Sequence, residues 1–267
     1  MIRAAVAGIA GRMGSRIAQL VCETEGIELT AGFERPGYPK IGNDLAEVVG
    51  GSATGKRIVE GIGAVLDGCD VVIDFTAAAA SLEHLKAAAA AGVPMVIGST
   101  GFTAQQMEEA AAAAKRSAVL IAPNMSVGVN VLFQVVAEVA RLLGEDFDVE
   151  IVEAHHRFKK DAPSGTALKL AQIIARSLGR DLDKTGVYGR HGLVGERTSE
   201  EIGVHAVRGG DIVGEHTVMF AGMGERIEII HRAQSRDNFA RGAIRAAKWI
   251  VGKPPGIYDM SDVLGLK

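Results

Sequence analysis

The chain has 267 residues, of which 48% are hydrophobic and 23% charged, with a formal net charge of −3. That length allows one large domain or two modest ones, with enough apolar side chains for a sizeable core. The slight acidity argues against general nucleic-acid affinity, which shows as a basic face, so any cationic site must be local and suited to a small anion.

Strand and helix alternate through the first half. The apolar stretch Ile2–Gly8 predicts a strand, and Arg12–Val21 a helix with Met13, Ile17, Leu20 and Val21 on one face. Ile27–Glu34, Val71–Thr76, Pro94–Thr100 and Val119–Asn124 predict four more strands, with helices over Ser81–Ala91 and Thr103–Lys115. Continuous apolar strands separated by helices indicate a parallel sheet buried on both faces. Of three alanine runs, Ala87–Ala91 and Ala110–Ala114 fall inside predicted helices and Ala77–Ala80 at a loop-to-helix junction. Alanine is the best helix former, and these runs suit thin helices close to a sheet.

The pattern changes after Asn124. Ser126–Leu143 predicts a helix, Asp148–His156 a strand and Thr166–Leu178 a helix. Glu201–Arg232 reads as several strands with glycine turns, which predicts hairpins in an open sheet. Asp237–Val251 is helical again, followed by a short tail. The expected architecture is α/β. A Rossmann-type parallel-sheet domain, residues 1–126 and 237–267, binds a dinucleotide. A smaller α+β domain, residues 127–236, has an open mixed, mostly antiparallel sheet and serves substrate binding and oligomerisation.

Cys22 and Cys69 form no CxxC pair and stand in no metal-ligand spacing. They read as reduced, mostly buried thiols. No uninterrupted apolar run reaches the ~18 residues of a membrane span. Met1 leads straight into a strand, without the charged segment and cleavage site of a signal peptide. The expectation is a cytoplasmic protein without nucleic-acid or membrane partners.

Gly8-Ile9-Ala10-Gly11-Arg12-Met13-Gly14 closes the first strand and opens the first helix. Its glycines allow a tight turn and close backbone approach to a pyrophosphate, which sits on the helix N-terminus. Arg12 adds positive charge there. A dinucleotide site wants an acidic residue at the end of the second strand to hold ribose hydroxyls, and Glu34 occupies that place. Arg35 follows, and arginine suits a 2′-phosphate, so NADH and NADPH are both candidates. The loops holding Gly98, Ser99 and Thr100, and Ala122, Pro123, Asn124 and Met125, lie at carboxyl ends of predicted strands, where ligands gather in open parallel sheets.

The stretch EAHHRFKKDAPSGTAL, Glu153–Leu168, concentrates two histidines, an arginine and two lysines before a Pro-Ser-Gly-Thr turn. Adjacent strand residues point to opposite faces, so His155 and His156 are poorly placed to chelate one metal, and no metal is expected. Pro163 to Thr166 predict a helix start, whose free amides bind anions. Cations on one side and amides on the other suit a carboxylate, and a histidine with a pKa near ~6.5 can supply a proton near neutrality.

With these residues the chain resembles the 4-hydroxy-tetrahydrodipicolinate reductase family, historically the dihydrodipicolinate reductases. The resemblance runs through VAGIAGRMG, VVIDFT, VIGSTGF, NMSVGVNV, RGGDIVGEHTVMF and the Ser235–Trp249 segment, in the family's order. Ser99 stands where threonine is common. The resemblance implies nicotinamide-dependent reduction of a cyclic imine dicarboxylate in the diaminopimelate route to lysine. It also implies His155 as proton donor, Lys159 as a second catalytic group, and His156, Lys159, Ser164, Gly165, Thr166 and Arg236 around the substrate carboxylates. Gly8–Met13, Glu34, Arg35, Gly98–Thr100 and Ala122–Met125 would line the cofactor, and the active form would be a homotetramer. Two rivals are a semialdehyde or amino-acid dehydrogenase and a dinucleotide-sensing module. An acyl-enzyme would need a cysteine at a strand's carboxyl end, which neither cysteine provides, and a sensor would not need the cationic cluster.

Overall fold

The computed structural model of the chain describes residues 1–266 and divides them into two compact units, one of Met1–Val127 with the segment from Asp237 on, the other of Gly128–Arg236. Lys267, the last residue of the expected first domain, lies outside the described residues. In chain order come β1 (Ile2–Ala7), α1 (Arg12–Glu23), β2 (Ile27–Glu34), α2 (Ala46–Val49), β3 (Ile58–Glu60), β4 (Val71–Asp74), α3 (Ala78–Ala90), β5 (Met95–Ile97), α4 (Ala104–Ala113) and β6 (Ala118–Ile121). The second unit contributes α5 (Val127–Leu143), β7 (Asp148–His155), α6 (Gly165–Ser177), α7 (Leu182–Thr185), β8 (Gly186–Val187), β9 (Ile202–Arg208), β10 (Gly214–Ala221) and β11 (Arg226–Ala233). The chain then returns to the first unit with α8 (Asp237–Ile250), β12 (Gly256–Tyr258) and α9 (Met260–Leu264).

The first unit's seven strands run β12-β6-β5-β4-β1-β2-β3, every pairing parallel. Chain direction across the sheet reverses at β1, so the gap between β1 and β4 is the switch point where such sheets take ligands. Val71–Asp74 and Met95–Ile97 are buried along their whole length. Apolar cover on both faces explains why these strands carry no polar alternation. On one face Ile17, Leu20 and Val21 of α1 join Ala243, Ile244 and Ala247 of α8 against Val6, Ile73 and Leu120. On the other, Leu82, Leu85 and Ala88 of α3 and Ala110 of α4 pack on Ala5, Val72 and Met95. Alanine lets α3 and α4 lie close to the sheet and to each other. The start of α4 is fixed by a capping box, with Gln106 N donating to Thr103 Oγ1 at 3.2 Å and Thr103 N to Gln106 Oε1 at 2.9 Å.

The second unit's sheet has the order β11-β10-β7-β9-β8. Alternation along β7 buries Val149, Ile151 and Glu153 on the face that α5 and α6 cover. Leu132, Val136 and Ala140 of α5 and Leu170, Ala171 and Ile174 of α6 meet Val149, Ile151, Val204, Val218 and Phe220 there. Each fully buried valine, leucine, isoleucine or phenylalanine side chain among them contributes about 1.5–3 kcal/mol.

Several expectations change. Only β10 and β11 form the expected hairpin, paired antiparallel over eight residues. β9 and β10 do not pair. They flank β7, which β10 meets antiparallel and β9 parallel, so the sheet is mixed as expected, but through a crossover that glycine spacing does not reveal. The run Ala77–Ala80 does stand at the loop-to-helix junction, with Ala77 as the N-cap of α3 and Ala78–Ala80 opening the helix three residues before its expected start at Ser81. Pro163 precedes the Ser164 N-cap of α6 and stands outside the first helical turn. Cys22 is exposed, because α1 turns that position away from its apolar stripe, while Cys69 is buried and its thiol is pushed up to about 11 by that burial. One helix, Val127–Asp146 with its final turn, is long and apolar enough to cross a membrane by length and composition alone. Asn130, Gln134, Glu138 and Arg141 interrupt its apolar run, so counting uninterrupted apolar residues passed over it.

Candidate active site

At the switch point of the first unit, Gly8 has φ +59° and leads into α1, whose N-cap is Gly11. No side chain caps this helix and its first turn carries no acidic residue. Its leading amides therefore remain an anion-receptive end. A Cβ on Gly14 would stand 2.2 Å from the Gly8 carbonyl oxygen, so the turn closes only around glycine there. Arg12 is exposed beside it, whereas Ile9 is wholly buried and Met13 packs against the same core, so these two offer only backbone to a ligand. Glu34, at the end of β2, is nearly buried and accepts a hydrogen bond from Ala10 N at 2.9 Å. Arg35 is exposed.

Beside the turn, Asp74 ends β4 with a wholly buried carboxylate. Its Oδ1 accepts from Thr76 N at 2.8 Å, Thr76 Oγ1 at 2.7 Å and Ser81 Oγ at 2.9 Å, while Oδ2 lies 2.7 Å from His84 Nδ1. Ser81 Oγ continues to Ser99 Oγ at 2.6 Å. The Thr76 methyl group presses on the glycine turn, 2.7 Å from where a Gly8 Cβ would be. One carboxylate thus ties together the loops after β1, β4 and β5. Gly98 leaves room for the Phe75 ring, and Thr100 is exposed. In the loop after β6, Ala122 and Met125 are buried, Pro123 is exposed, and Asn124 Oδ1 accepts from Ser126 N at 2.9 Å.

In the second unit, the carboxyl end of β7 changes from apolar to ionic on its covered face. Glu153 is wholly buried, and His155 Nδ1 lies 2.5 Å from its Oε2. Arg208 Nη1 and Nη2 each donate to the same carboxylate at 2.8 Å, one to each oxygen. The remaining donor is Ser164 N, 2.9 Å from Oε1, at the N-cap of α6. Register explains the convergence: β9 sets Arg208 beside His155, β10 sets His216 beside Glu153, and β11 sets His231 beside His216. The His155 and His216 rings meet edge to face at 5.3 Å, and Ser164 Oγ lies 3.3 Å from His216 Nε2.

Burial depresses the His155 pKa below the ordinary histidine value. The hydrogen bond and charge of Glu153 oppose this, while Lys159 and Arg208 reinforce it. The ordinary value expected from sequence is revised accordingly. Burial works against ionised Glu153, yet the bonds from Arg208, His155 and Ser164 hold its pKa below the usual carboxylate value. Lys159 Nζ pairs with Asp161 Oδ2 at 2.9 Å, which lowers the Asp161 pKa. His156 lies beyond the strand end, with its ring 6.3 Å from that of Phe158. Gly165 and Thr166 open α6 directly after Ser164. Arg236 is exposed in the turn after β11 and makes no hydrogen bond or ion pair among the described residues.

The family pattern described as dihydrodipicolinate reductase, N-terminus, matches residues 2–125, and the one described as dihydrodipicolinate reductase, C-terminus, matches residues 128–264. The chain belongs to the dihydrodipicolinate reductase family. It is 68% identical to the 4-hydroxy-tetrahydrodipicolinate reductase of Syntrophobacter fumaroxidans and 57% identical to that of Citrifermentans bemidjiense, each over the whole of both chains. A dipicolinate-bound dihydrodipicolinate reductase from Paenisporosarcina sp. TG-14 superposes with a TM-score of 0.75 at 27% identity, covering 97% of each chain. An amine dehydrogenase from Mycobacterium smegmatis, at 15% identity and a TM-score of 0.59, shares the fold. Membership makes the chain a nicotinamide-dependent oxidoreductase of the diaminopimelate route to lysine.

In this dihydrodipicolinate reductase sequence His155, His156, Lys159 and Ser164 stand out as site residues, whereas Glu153, Arg208, His216 and Asp74 do not. Glu153 had a usable signal, since a residue two before His155 on a strand shares its face. Arg208 and His216 lie 55 and 52 residues from their partners Glu153 and Ser164, and only sheet register brings them in.

Proposed function

We propose that this chain reduces 4-hydroxy-tetrahydrodipicolinate to tetrahydrodipicolinate, with loss of the 4-hydroxyl as water. The observation that carries the reading is the buried Glu153–His155 pair beside the Ser164 helix start, with Lys159 in the intervening loop. The bound nicotinamide would supply the hydride. His155 Nε2 supplies the proton that completes addition across a ring double bond, and the Lys159 ammonium stabilises the negative charge that develops meanwhile. His156, Lys159 and the Ser164–Thr166 turn hold the carboxylates. Asp161 is 59% exposed, so a substrate carboxylate displaces it from Lys159 at small cost. Two substrate carboxylates also raise the depressed His155 pKa by their charge, which loads the proton donor when it is needed. Arg236 joins them as a further carboxylate contact.

The first unit fits the cofactor. An uncapped helix start, a Gly8 backbone in the left-handed region and the closely packed Gly14 suit a pyrophosphate against Gly8–Met13. Glu34 holds ribose hydroxyls, and exposed Arg35 meets a 2′-phosphate, so NADH and NADPH both serve. The loops Gly98–Thr100 and Ala122–Met125 border the nicotinamide end. The second unit's sheet leaves Val207, Ile227 and Ile230 exposed, which supports a homotetramer assembled through that sheet; light scattering of the pure enzyme measures its mass.

The test follows NADH and NADPH oxidation by absorbance, with the substrate made in place by a synthase from pyruvate and aspartate semialdehyde. Oxidation that requires the synthase product and is lost in Lys159→Ala supports the reading. His155→Gln should lower kcat about a hundredfold or more with little change in KM. Cofactor binding without oxidation would leave a dinucleotide sensor instead.

A further inference from the structure

Glu153 joins the two halves of the second unit's cluster. It lies two residues before His155 on β7, so both side chains leave the sheet on the same face. All four of its hydrogen bonds are received: His155 Nδ1 and Arg208 Nη1 at Oε2, Arg208 Nη2 and Ser164 N at Oε1. An ionised carboxylate only accepts, so the proton between Glu153 and His155 belongs to Nδ1. The other ring nitrogen points along β10, where a Cβ on Gly214 would come within 3.0 Å of Nε2. Glycine at that position leaves Nε2 uncovered.

We propose that Glu153, clamped by Arg208, is a positioning residue for the reduction: it locks His155 in the Nδ1–H tautomer and ties the ring to the Ser164 amide, so that Nε2 alone exchanges the proton. The inference rests on the reading of His155 as proton donor. Arg208 has a second effect. A lone carboxylate beside an imidazole raises its pKa, whereas a carboxylate already neutralised by a bidentate guanidinium does so weakly. The charged and titratable groups facing His155 are Glu153 on its own strand, Arg208 on β9, His216 on β10 and Lys159 in the following loop. Asp161 stands behind Lys159, and His231 on β11 stands behind His216. Among these Glu153 is the only one in hydrogen-bond contact with the ring. It can therefore choose the tautomer, while Arg208 and Lys159 act through charge and His216 through ring contact.

Glutamine at position 153 keeps the side chain's shape but puts an amide donor where the carboxylate accepted. Its carbonyl oxygen, in the place of Oε1, keeps the bonds from Arg208 Nη2 and Ser164 N, while its amide takes the place of Oε2, gives up the bond from Arg208 Nη1 and donates to His155 Nδ1, which moves the neutral ring's proton to Nε2. The experiment records ring-nitrogen resonances of the full-length enzyme, isotope-labelled at histidine, together with steady-state kinetics of Glu153→Gln and His155→Gln. The wild-type enzyme near neutral pH should show His155 protonated at Nδ1. Glu153→Gln should show it at Nε2 and lose kcat about a hundredfold, with the cofactor KM within about twofold of wild type. A wild-type ring protonated at Nε2 overturns the inference whether or not the variant folds. Turnover within about twofold of wild type in Glu153→Gln, with His155→Gln impaired, overturns it and leaves the donor reading standing. Full turnover in His155→Gln removes the donor reading and this inference with it.

Discussion

Replacing His216 with glutamine asks whether the interior of the second unit resists protonation. His216 is 3% exposed and stands between Glu153 and His231 in the sheet. Burial first, then the neighbouring His155, carry its pKa from 6.5 down to about 4. The folded protein keeps the ring neutral over a range where the unfolded chain takes up a proton. A histidine with a depressed folded pKa adds nothing unfavourable above 6.5, and stability is lost as pH falls from there towards 4. Between pH 7 and pH 5, linkage makes this loss about 2 kcal/mol from the one residue. Glutamine keeps a polar partner for Ser164 Oγ and does not titrate. Urea unfolding of wild type and His216→Gln at both pH values, at one protein concentration, isolates the effect. Carboxylates with depressed pKa values, Glu153 and Glu150 among them, shed stability in both proteins and cancel in the difference. The wild type should lose about 2 kcal/mol more than the variant. Equal losses in the two proteins would refute the reasoning, since they would mean that water solvates the charged ring in the folded state.

Three further outcomes are expected. Gly14→Ala places a methyl group against the Gly8 backbone, which cannot yield as a flexible side chain would. NADH binding by calorimetry should weaken at least about tenfold, and the melting temperature should fall with it. Arg35→Ala should weaken NADPH binding about tenfold and leave NADH binding nearly unchanged, as a guanidinium contact to a 2′-phosphate requires; equal effects on both would place Arg35 outside the site. Asp74→Ala strands the Thr76, Ser81 and His84 donors and should cost about 3 kcal/mol by urea unfolding. Asp74→Asn should cost less than about half of that, because the His84 ring can switch tautomer and accept from the new amide.

Much of this protein follows from short stretches of sequence. Ile27–Glu34 is a strand with the bounds its apolar run predicts, and α1, α5, α6 and α8 begin within a residue of their expected starts. Helical and strand periodicities repeat within a few residues, so a window of that size contains the information. The same holds for the glycine turn, for Glu34 at the end of β2, and for the stretch from the end of β7 to the start of α6 that carries His155, His156, Lys159 and Ser164. Tertiary structure alone decided the partners. Strand order put β7 between β9 and β10, and register then set Arg208 and His216 around Glu153. Asp74 reads as an ordinary strand end until Ser81 and His84 meet it from a helix, with Ser99 joined to Ser81 from a separate loop. No local pattern encodes such meetings. They depend on which strands pair and in what register, and that is settled by burying apolar faces across the whole sheet, after which the polar groups must find one another or stay unsatisfied.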